Sequence, residues 1–141
     1  MRDATFTMGR ASFARTFPVL LLVLVLPCLG CSTSDRPPLG QVSGTVTLDG
    51  QPLPSALVTF VPIAGPGRTS QAYTDSDGRY SLAYLRDIEG ANVGQHVVRI
   101  TTVSDEYRGK ERLPPRYHAQ SMLIATVEPG TNTHDFSLSS K

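Results

Sequence analysis

Apolar and polar residues alternate along residues 42–48, so that Val42, Val46 and their even-numbered neighbours fall on one face of an extended chain. A period of two is typical of a half-buried strand. Asp49-Gly50 follows, a pair that tolerates positive φ, and the chain must turn there. A second apolar run at residues 56–61 is rich in β-branched and aromatic residues, which predicts a second strand.

Further short runs of the same kind continue to the end of the chain, separated by segments rich in Gly, Pro, Asn and Asp. Seven strands are predicted, at residues 42–48, 56–61, 70–74, 79–84, 95–103, 122–128 and 133–138. Outside the N-terminal leader, no window of helical length has a 3.6-residue period. The pattern therefore predicts an all-β fold, a single seven-stranded antiparallel β-sandwich. We expect Phe60, Tyr80, Ile100, Val127 and Phe136 to share its core.

The N-terminal residues 1–30 have a different composition from the rest. Three Arg and one Asp occupy residues 1–16, and residues 17–30 carry no charge. A basic segment followed by an apolar run shorter than a membrane span is typical of a secretory signal peptide. An uncleaved anchor helix is the alternative, and Pro27 and the shortness of the run count against it.

Cys31 follows this apolar run directly and is preceded by Leu29-Gly30. The segment resembles the bacterial lipobox, which implies a diacylglyceryl lipid on Cys31 and cleavage before it. It departs from the usual lipobox in having Cys28 where an aliphatic residue is common. The other interpretation is a Cys28–Cys31 redox or metal pair, but such a pair needs a folded setting or further ligands, and the chain has no third cysteine.

Cleavage before Cys31 removes three Arg and one Asp, which leaves ten basic and eleven acidic residues. This balance gives no overall field favouring nucleic acid, so no nucleic-acid partner is expected. Residues 31–40 are polar and contain Pro37-Pro38, which predicts a flexible tether. Residues 41–140 form the predicted domain. With Cys31 modified, no disulfide can form, and the domain must rest on its hydrophobic core.

Several motifs of this domain carry a family resemblance. They are Gly44-x-Val46, Leu48-x-Gly50-x-Pro52-Leu53-x-x-Ala56-x-Val58-x-Phe60 and Thr74-Asp75-x-Asp77-Gly78-Arg79-Tyr80. They resemble the carboxypeptidase regulatory-like domain, a transthyretin-like (prealbumin-like) Greek-key sandwich. Later motifs are similar to the end of that domain in small bacterial lipoproteins: Leu113-Pro114-x-Arg116-Tyr117, Val127-x-Pro129-Gly130 and Asp135-Phe136-x-Leu138. The resemblance implies the fold and a non-catalytic module.

Few residues suggest chemistry. Asp75-Ser-Asp77-Gly78 could begin a calcium loop, but the twelfth position is Arg86, so we expect Asp75 to accept hydrogen bonds within its own turn. The three histidines are scattered and no serine lies in a Gly-x-Ser-x-Gly elbow. Tyr107-Arg-Gly-Lys110 is similar to the terminal segment of transthyretin-related hydroxyisourate hydrolases, but it lies in mid-chain. We expect no enzyme activity, no metal and no cofactor.

The long connection at residues 104–121 is the predicted working surface, because such loops are usually functional or disordered. We expect Leu113, Pro114 and Tyr117 to anchor its far end and its charged part to stay exposed. The predicted binding residues are Arg108, Lys110 and Arg112. Residues 63–69 and 85–94 are the other candidate loops.

Two function classes remain open. The first is a lipid-anchored binding or scaffolding module of the bacterial cell envelope with a protein or glycan partner. Ser32 favours the outer membrane over the inner, by resemblance to known lipoproteins. The second is a hydrolase that uses His118, which would require a pocket bringing His118 within hydrogen-bond reach of Asp105, Glu106 or a serine.

Overall fold

The computed structural model of the chain describes residues 36–141. Twelve strand segments and a single-turn 3₁₀ helix at Pro115–Tyr117 occur in this part. The strands are β1 Leu39–Leu48, β2 Gln51–Pro52, β3 Leu57–Pro62, β4 Ser70–Tyr73, β5 Arg79–Ser81, β6 Ala83–Leu85, β7 Ile88–Glu89, β8 Ala91–Asn92, β9 Gly94–Thr101, β10 Leu123–Val127, β11 Gly130–Thr133 and β12 Phe136–Leu138.

The strands form two sheets. The first sheet is centred on β1, which pairs with β2, β5 and β8 on one side and with β11 and β12 on the other. The second sheet has the order β10-β9-β3-β4-β6-β7, and every pair in it is antiparallel. The predicted all-β sandwich is confirmed, and the two runs that open it, β1 and β3, are interior strands of different sheets.

One predicted strand, residues 79–84, passes from one sheet to the other. Its first part is β5, which pairs with β1, and its second part is β6, which pairs with β4. Between them Leu82 is fully buried, and its N–H donates to the Val42 carbonyl at 2.9 Å. The side chains continue to alternate across this corner, which is why the sequence pattern does not reveal it.

The last predicted strand, residues 133–138, overlaps the end of β11 at Thr133 and contains β12. Both β11 and β12 pair with β1 in parallel rather than in the expected antiparallel sense. At the break between them, the Asp135 carboxylate accepts hydrogen bonds from the Thr45 N–H and hydroxyl, both at 2.8 Å. The chains approach so closely there that a Cβ on Gly44 would lie 1.9 Å from the His134 carbonyl oxygen. Only glycine fits at this position of β1.

The core lies between the two sheets. Phe60, Ile100 and Val127 are fully buried and Tyr80 is nearly so, which confirms four of the five predicted core residues. Phe136 is half-buried at the rim, where its ring stacks on Tyr80 with centroids 6.4 Å apart. The inward-facing side of the strands is therefore as expected, and Phe136 lies at the edge of the core.

The predicted signal peptide, residues 1–30, and the lipidation site Cys31 lie outside the described residues. The strand β1 begins at Leu39, two residues before the predicted start of the domain. Among residues 36–141 there is no helix with the length and apolarity that crossing a bilayer requires.

Candidate functional site

The side chain of Glu111 connects the loop that follows β9 back to the end of that strand. The Glu111 carboxylate accepts hydrogen bonds from the hydroxyls of Thr101 and Thr102 and from the Thr102 N–H at 3.0 Å. It also accepts the N–H groups of Arg112 at 2.9 Å and Leu113 at 3.0 Å. These bonds close residues 103–110 into a compact loop. The charged part of this connection is expected from sequence to be exposed, and that expectation is wrong for Glu111, which is partly buried.

Partial burial of the Glu111 carboxyl raises its pKa, but the hydrogen bonds from Thr101, Thr102 and Leu113 outweigh this effect. The net result is a pKa of about 2. Hydrogen bonds to a carboxylate stabilise its charged form. Glu111 is therefore ionised at every physiological pH, and the closure of the loop does not depend on pH in that range.

The closed loop rests on Tyr73 of β4. The Tyr73 hydroxyl donates to the Ser104 hydroxyl oxygen at 3.0 Å, and the same oxygen accepts the Tyr107 N–H at 3.1 Å. The rings of Tyr73 and Tyr107 meet edge to face with centroids 5.3 Å apart. Such aromatic pairs add specific geometry to apolar contact. The Tyr73 ring is thus held at its hydroxyl and along its edge.

A cleft of about 610 Å³ opens between this loop and the outer face of the second sheet. The strands contribute Leu57, Gln71 and Tyr73. The loop contributes an acid and a cation, Asp105 and Arg108. The volume lies in the range of small-ligand sites, and the lining combines apolar surface with a few polar groups, as such sites do.

A second cleft, of about 390 Å³, adjoins the first and shares Leu57, Gln71 and Tyr73 with it. It continues over β6 and ends at Arg86. We call the two clefts together the outer groove. The register of the sheet places Leu57 opposite Tyr73 and Gln71 opposite Ala83, so the outer groove crosses the strands from the loop towards the corner after β6.

The predicted binding residues Arg108, Lys110 and Arg112 are all exposed, but they differ in position. Arg108 lines the outer groove, whereas Lys110 and Arg112 are not part of its lining. Sequence reasoning missed Gln71 and Tyr73, which occupy outward positions of a short strand. The only signal for them was that Tyr73 is a large aromatic on the polar side of a strand.

The far end of the connection is anchored as expected. Leu113 is buried, and the Tyr117 hydroxyl accepts the Ser139 N–H at 3.1 Å. The Arg116 guanidinium lies 4.8 Å from the centroid of the Tyr117 ring and donates to the Ser139 carbonyl at 2.9 Å. The 3₁₀ turn is thereby attached to the C-terminal segment.

The arrangement required by the alternative hydrolase function is not assembled among the described residues. The His118 ring nitrogen Nε2 lies 3.2 Å from the Leu113 carbonyl oxygen, so its partner is backbone and not a carboxylate or a serine. Asp105 faces the outer groove, whose lining contains no histidine.

The Asp75 turn has the expected geometry. The Asp75 carboxylate accepts the N–H groups of Asp77 and Arg79, both at 2.9 Å, and Gly78 has φ +73°. These bonds are those of a side chain that caps its own turn. In the part of the chain that the structure describes, no group of three or more His, Cys, Asp or Glu side chains could hold a metal ion.

No protein-family model matches the chain, and no curated protein matches it either. Among solved structures, the chain is similar to a DUF3823 family protein from Parabacteroides merdae, with a TM-score of 0.46 and 15% sequence identity. The alignment covers 73% of this chain and 47% of the other, so the chain spans about half the length of that protein.

Proposed function

We propose that the protein is a lipid-anchored, non-catalytic binding module of the bacterial cell envelope, and that it binds its partner through the outer groove. The Cys31 segment supports the anchor, since it resembles a lipobox. The sequence motifs support a carboxypeptidase regulatory-like domain of the transthyretin-like Greek-key type. The outer membrane is the preferred location because Ser32 follows the cysteine.

The observation that carries the binding role is the set of hydrogen bonds accepted by the Glu111 carboxylate, which we call the Glu111 clamp. Five donors converge on one carboxylate to hold residues 103–110, and Tyr73 and Tyr107 brace the result. A loop that is ordered before the partner arrives loses little conformational entropy on binding. Residues of this loop, among them Asp105 and Arg108, line the outer groove. The hydrogen bonds that order the loop therefore also fix one side of the groove.

A hydrolase is the less favoured function. General acid–base catalysis requires a base within hydrogen-bond reach of its partner. His118 is bonded to the Leu113 carbonyl, and the acid nearest the cleft, Asp105, has no histidine beside it in the groove lining. The groove offers groups for recognition rather than a nucleophile paired with a base.

A site-specific crosslink tests the proposal. Gly109 lines the cleft, and a Cβ added there would meet no atom within 4 Å, so a small diazirine amino acid is tolerated at this position. Irradiation of intact envelopes should yield one discrete crosslinked species, identified by mass spectrometry and glycan analysis. The matched control places the same group at Ile124, which is 53% exposed on the edge strand β10 and lies outside the groove lining. Identical products from both positions would contradict binding at the groove.

A further inference from the structure

The outer groove has a shape that fits a chain rather than a compact molecule. It extends from the 104–109 loop over β3 and β4 to β6, with Leu57, Gln71 and Tyr73 common to both halves. Neighbouring strands are about 4.8 Å apart, so the two steps from β3 to β6 alone span about 10 Å. Its floor is the face of a pleated sheet, on which an extended ligand can lie flat.

The lining has the groups that recognise sugar rings. Tyr73 offers an aromatic surface, and its ring is fixed by Ser104 and Tyr107. Pyranose C–H groups pack on aromatic surfaces, while the ring hydroxyls need both donors and acceptors. Gln71 provides both through its amide, and Asp105 provides acceptors. These side chains can therefore contact both the apolar face and the hydroxyl groups of a sugar ring.

The charges select among such ligands. One guanidinium lies in each half of the groove, Arg108 beside the loop and Arg86 beside β6. The acid in the lining is Asp105. Arginine presents a planar fork of donors that matches a carboxylate in two parallel bonds. Two cations, one in each half of the groove, match a chain that carries more than one carboxylate.

We infer that the outer groove binds an acidic oligosaccharide, whose sugar rings lie along Tyr73 and Gln71 and whose carboxylates meet Arg86 and Arg108. This inference rests on the proposed binding role of the same groove. The shared chemistry is a carboxylate-bearing pyranose chain. It has two sources, a uronate polysaccharide and the muramyl sugars of peptidoglycan, and separate probes distinguish them.

The test is calorimetric titration of the full-length protein in detergent micelles with two acidic probes. The first is tetragalacturonate, and the second is a peptide-free tetrasaccharide of N-acetylglucosamine and N-acetylmuramic acid. Their neutral counterparts are carboxyl-reduced tetragalacturonate and chitotetraose. We expect one acidic probe to bind, more weakly as salt rises, and its neutral counterpart not to bind.

Arg86→Gln and Arg108→Gln should each weaken that binding roughly tenfold or more, because each removes charge-assisted hydrogen bonds. Arg112→Gln is the matched control, since Arg112 is exposed on the same connection outside the groove lining, and it should leave affinity unchanged. Circular dichroism spectra equal to wild type would show that all three variants are folded.

Absence of binding by both acidic probes would overturn the inference, as would equal binding of the neutral counterparts or equal effects of the three Arg variants. If the Gly109 crosslinker still captured one discrete envelope component in that case, the groove would bind a partner of another class. The proposed function would then stand without this ligand. If the Gly109 crosslinker also captured no discrete component, both the ligand inference and the proposed function would be contradicted.

Discussion

At the scale of single residues, Glu111 is the side chain on which the candidate site depends. In Glu111→Gln one of the two carboxylate oxygens becomes an NH₂ group, which cannot accept from the Thr101 and Thr102 hydroxyls or from the N–H groups. We expect amides 103–110 to exchange hydrogen faster than in wild type while the strand amides keep their protection. Hydrogen-exchange mass spectrometry measures this difference. Equal protection of residues 103–110 in both proteins would show that the carboxylate does not hold the loop.

The pH dependence of the Glu111 clamp follows from the direction of its pKa shift. The pKa in the folded protein, about 2, lies below the ordinary value of 4.5. The stabilisation is therefore fully present above about pH 4.5 and is lost as the pH falls towards 2. Protection of the loop amides, corrected for intrinsic exchange, should be constant from neutral pH to about pH 5.

His96 is the residue whose burial gives a second pH effect. It is 1% exposed, its Nδ1 lies 3.1 Å from the Gly94 carbonyl, and its Nε2 is buried without a hydrogen-bond partner. Burial lowers its pKa, the Gly94 carbonyl opposes this shift, and the nearby His134 adds to it. Below the ordinary pKa of 6.5 the unfolded chain takes up a proton that folded His96 does not, so stability falls as the pH decreases.

The prediction is that wild type loses stability relative to His96→Leu between pH 7 and pH 5, by at most about 1.4 kcal/mol per pH unit. Urea unfolding of both proteins at each pH provides the measurement. If the difference in free energy of unfolding between the two proteins were constant across this range, folding would not change the pKa of His96.

At the scale of elements, the sequence pattern predicted most strands because their alternation reports burial on one side. It could not reveal which neighbours each strand pairs with. Leu82 is buried at a corner where the chain changes sheets, and the alternation is the same with or without the change. The parallel pairing of β11 and β12 with β1 is likewise a long-range relation that no local period contains.

Gly44 tests that parallel pairing. In Gly44→Ala the new methyl would meet the His134 carbonyl at 1.9 Å, and backbone cannot move aside as a flexible side chain can. Overpacking of this kind costs about 1–3 kcal/mol. Gly109→Ala is the matched control, because a Cβ there meets no atom within 4 Å. Equal free energies of unfolding for the two variants would show that β11 and β12 do not lie against β1 in this way.

The candidate site was only partly predictable from sequence. The loop was identified by its length and charge, and one of its three predicted binding residues, Arg108, lines a cleft. The sequence did not identify the other groove residues Tyr73, Gln71 and Arg86, because a groove on the outer face of a sheet is lined by residues that are far apart in the chain. Glu111 was missed because a carboxylate in a charged segment is expected to be solvated, and its five hydrogen-bond donors can be identified only from the structure.

At the scale of the whole molecule, the anchor is predicted from sequence alone. Cys31 should incorporate an alkyne fatty acid supplied to growing cells, and Cys31→Ala should not. Acyl chains contribute about 0.8 kcal/mol per buried CH₂, so the modified protein should remain with the membrane fraction. Cys28→Ala is the control and should keep its label. Label retained in Cys31→Ala and lost in Cys28→Ala would place the lipid on the other cysteine.

The central claim is that the outer groove, and not the charged loop in general, binds the partner. The most direct measurement is the yield of the Gly109 crosslink in envelopes that carry Arg108→Ala or Arg112→Ala. Both residues are exposed on one connection, and only Arg108 lines the groove. Exposed charges contribute little to stability, so both variants should fold. We predict that the crosslink is lost with Arg108→Ala and kept with Arg112→Ala. Equal yields from the two variants would contradict the claim.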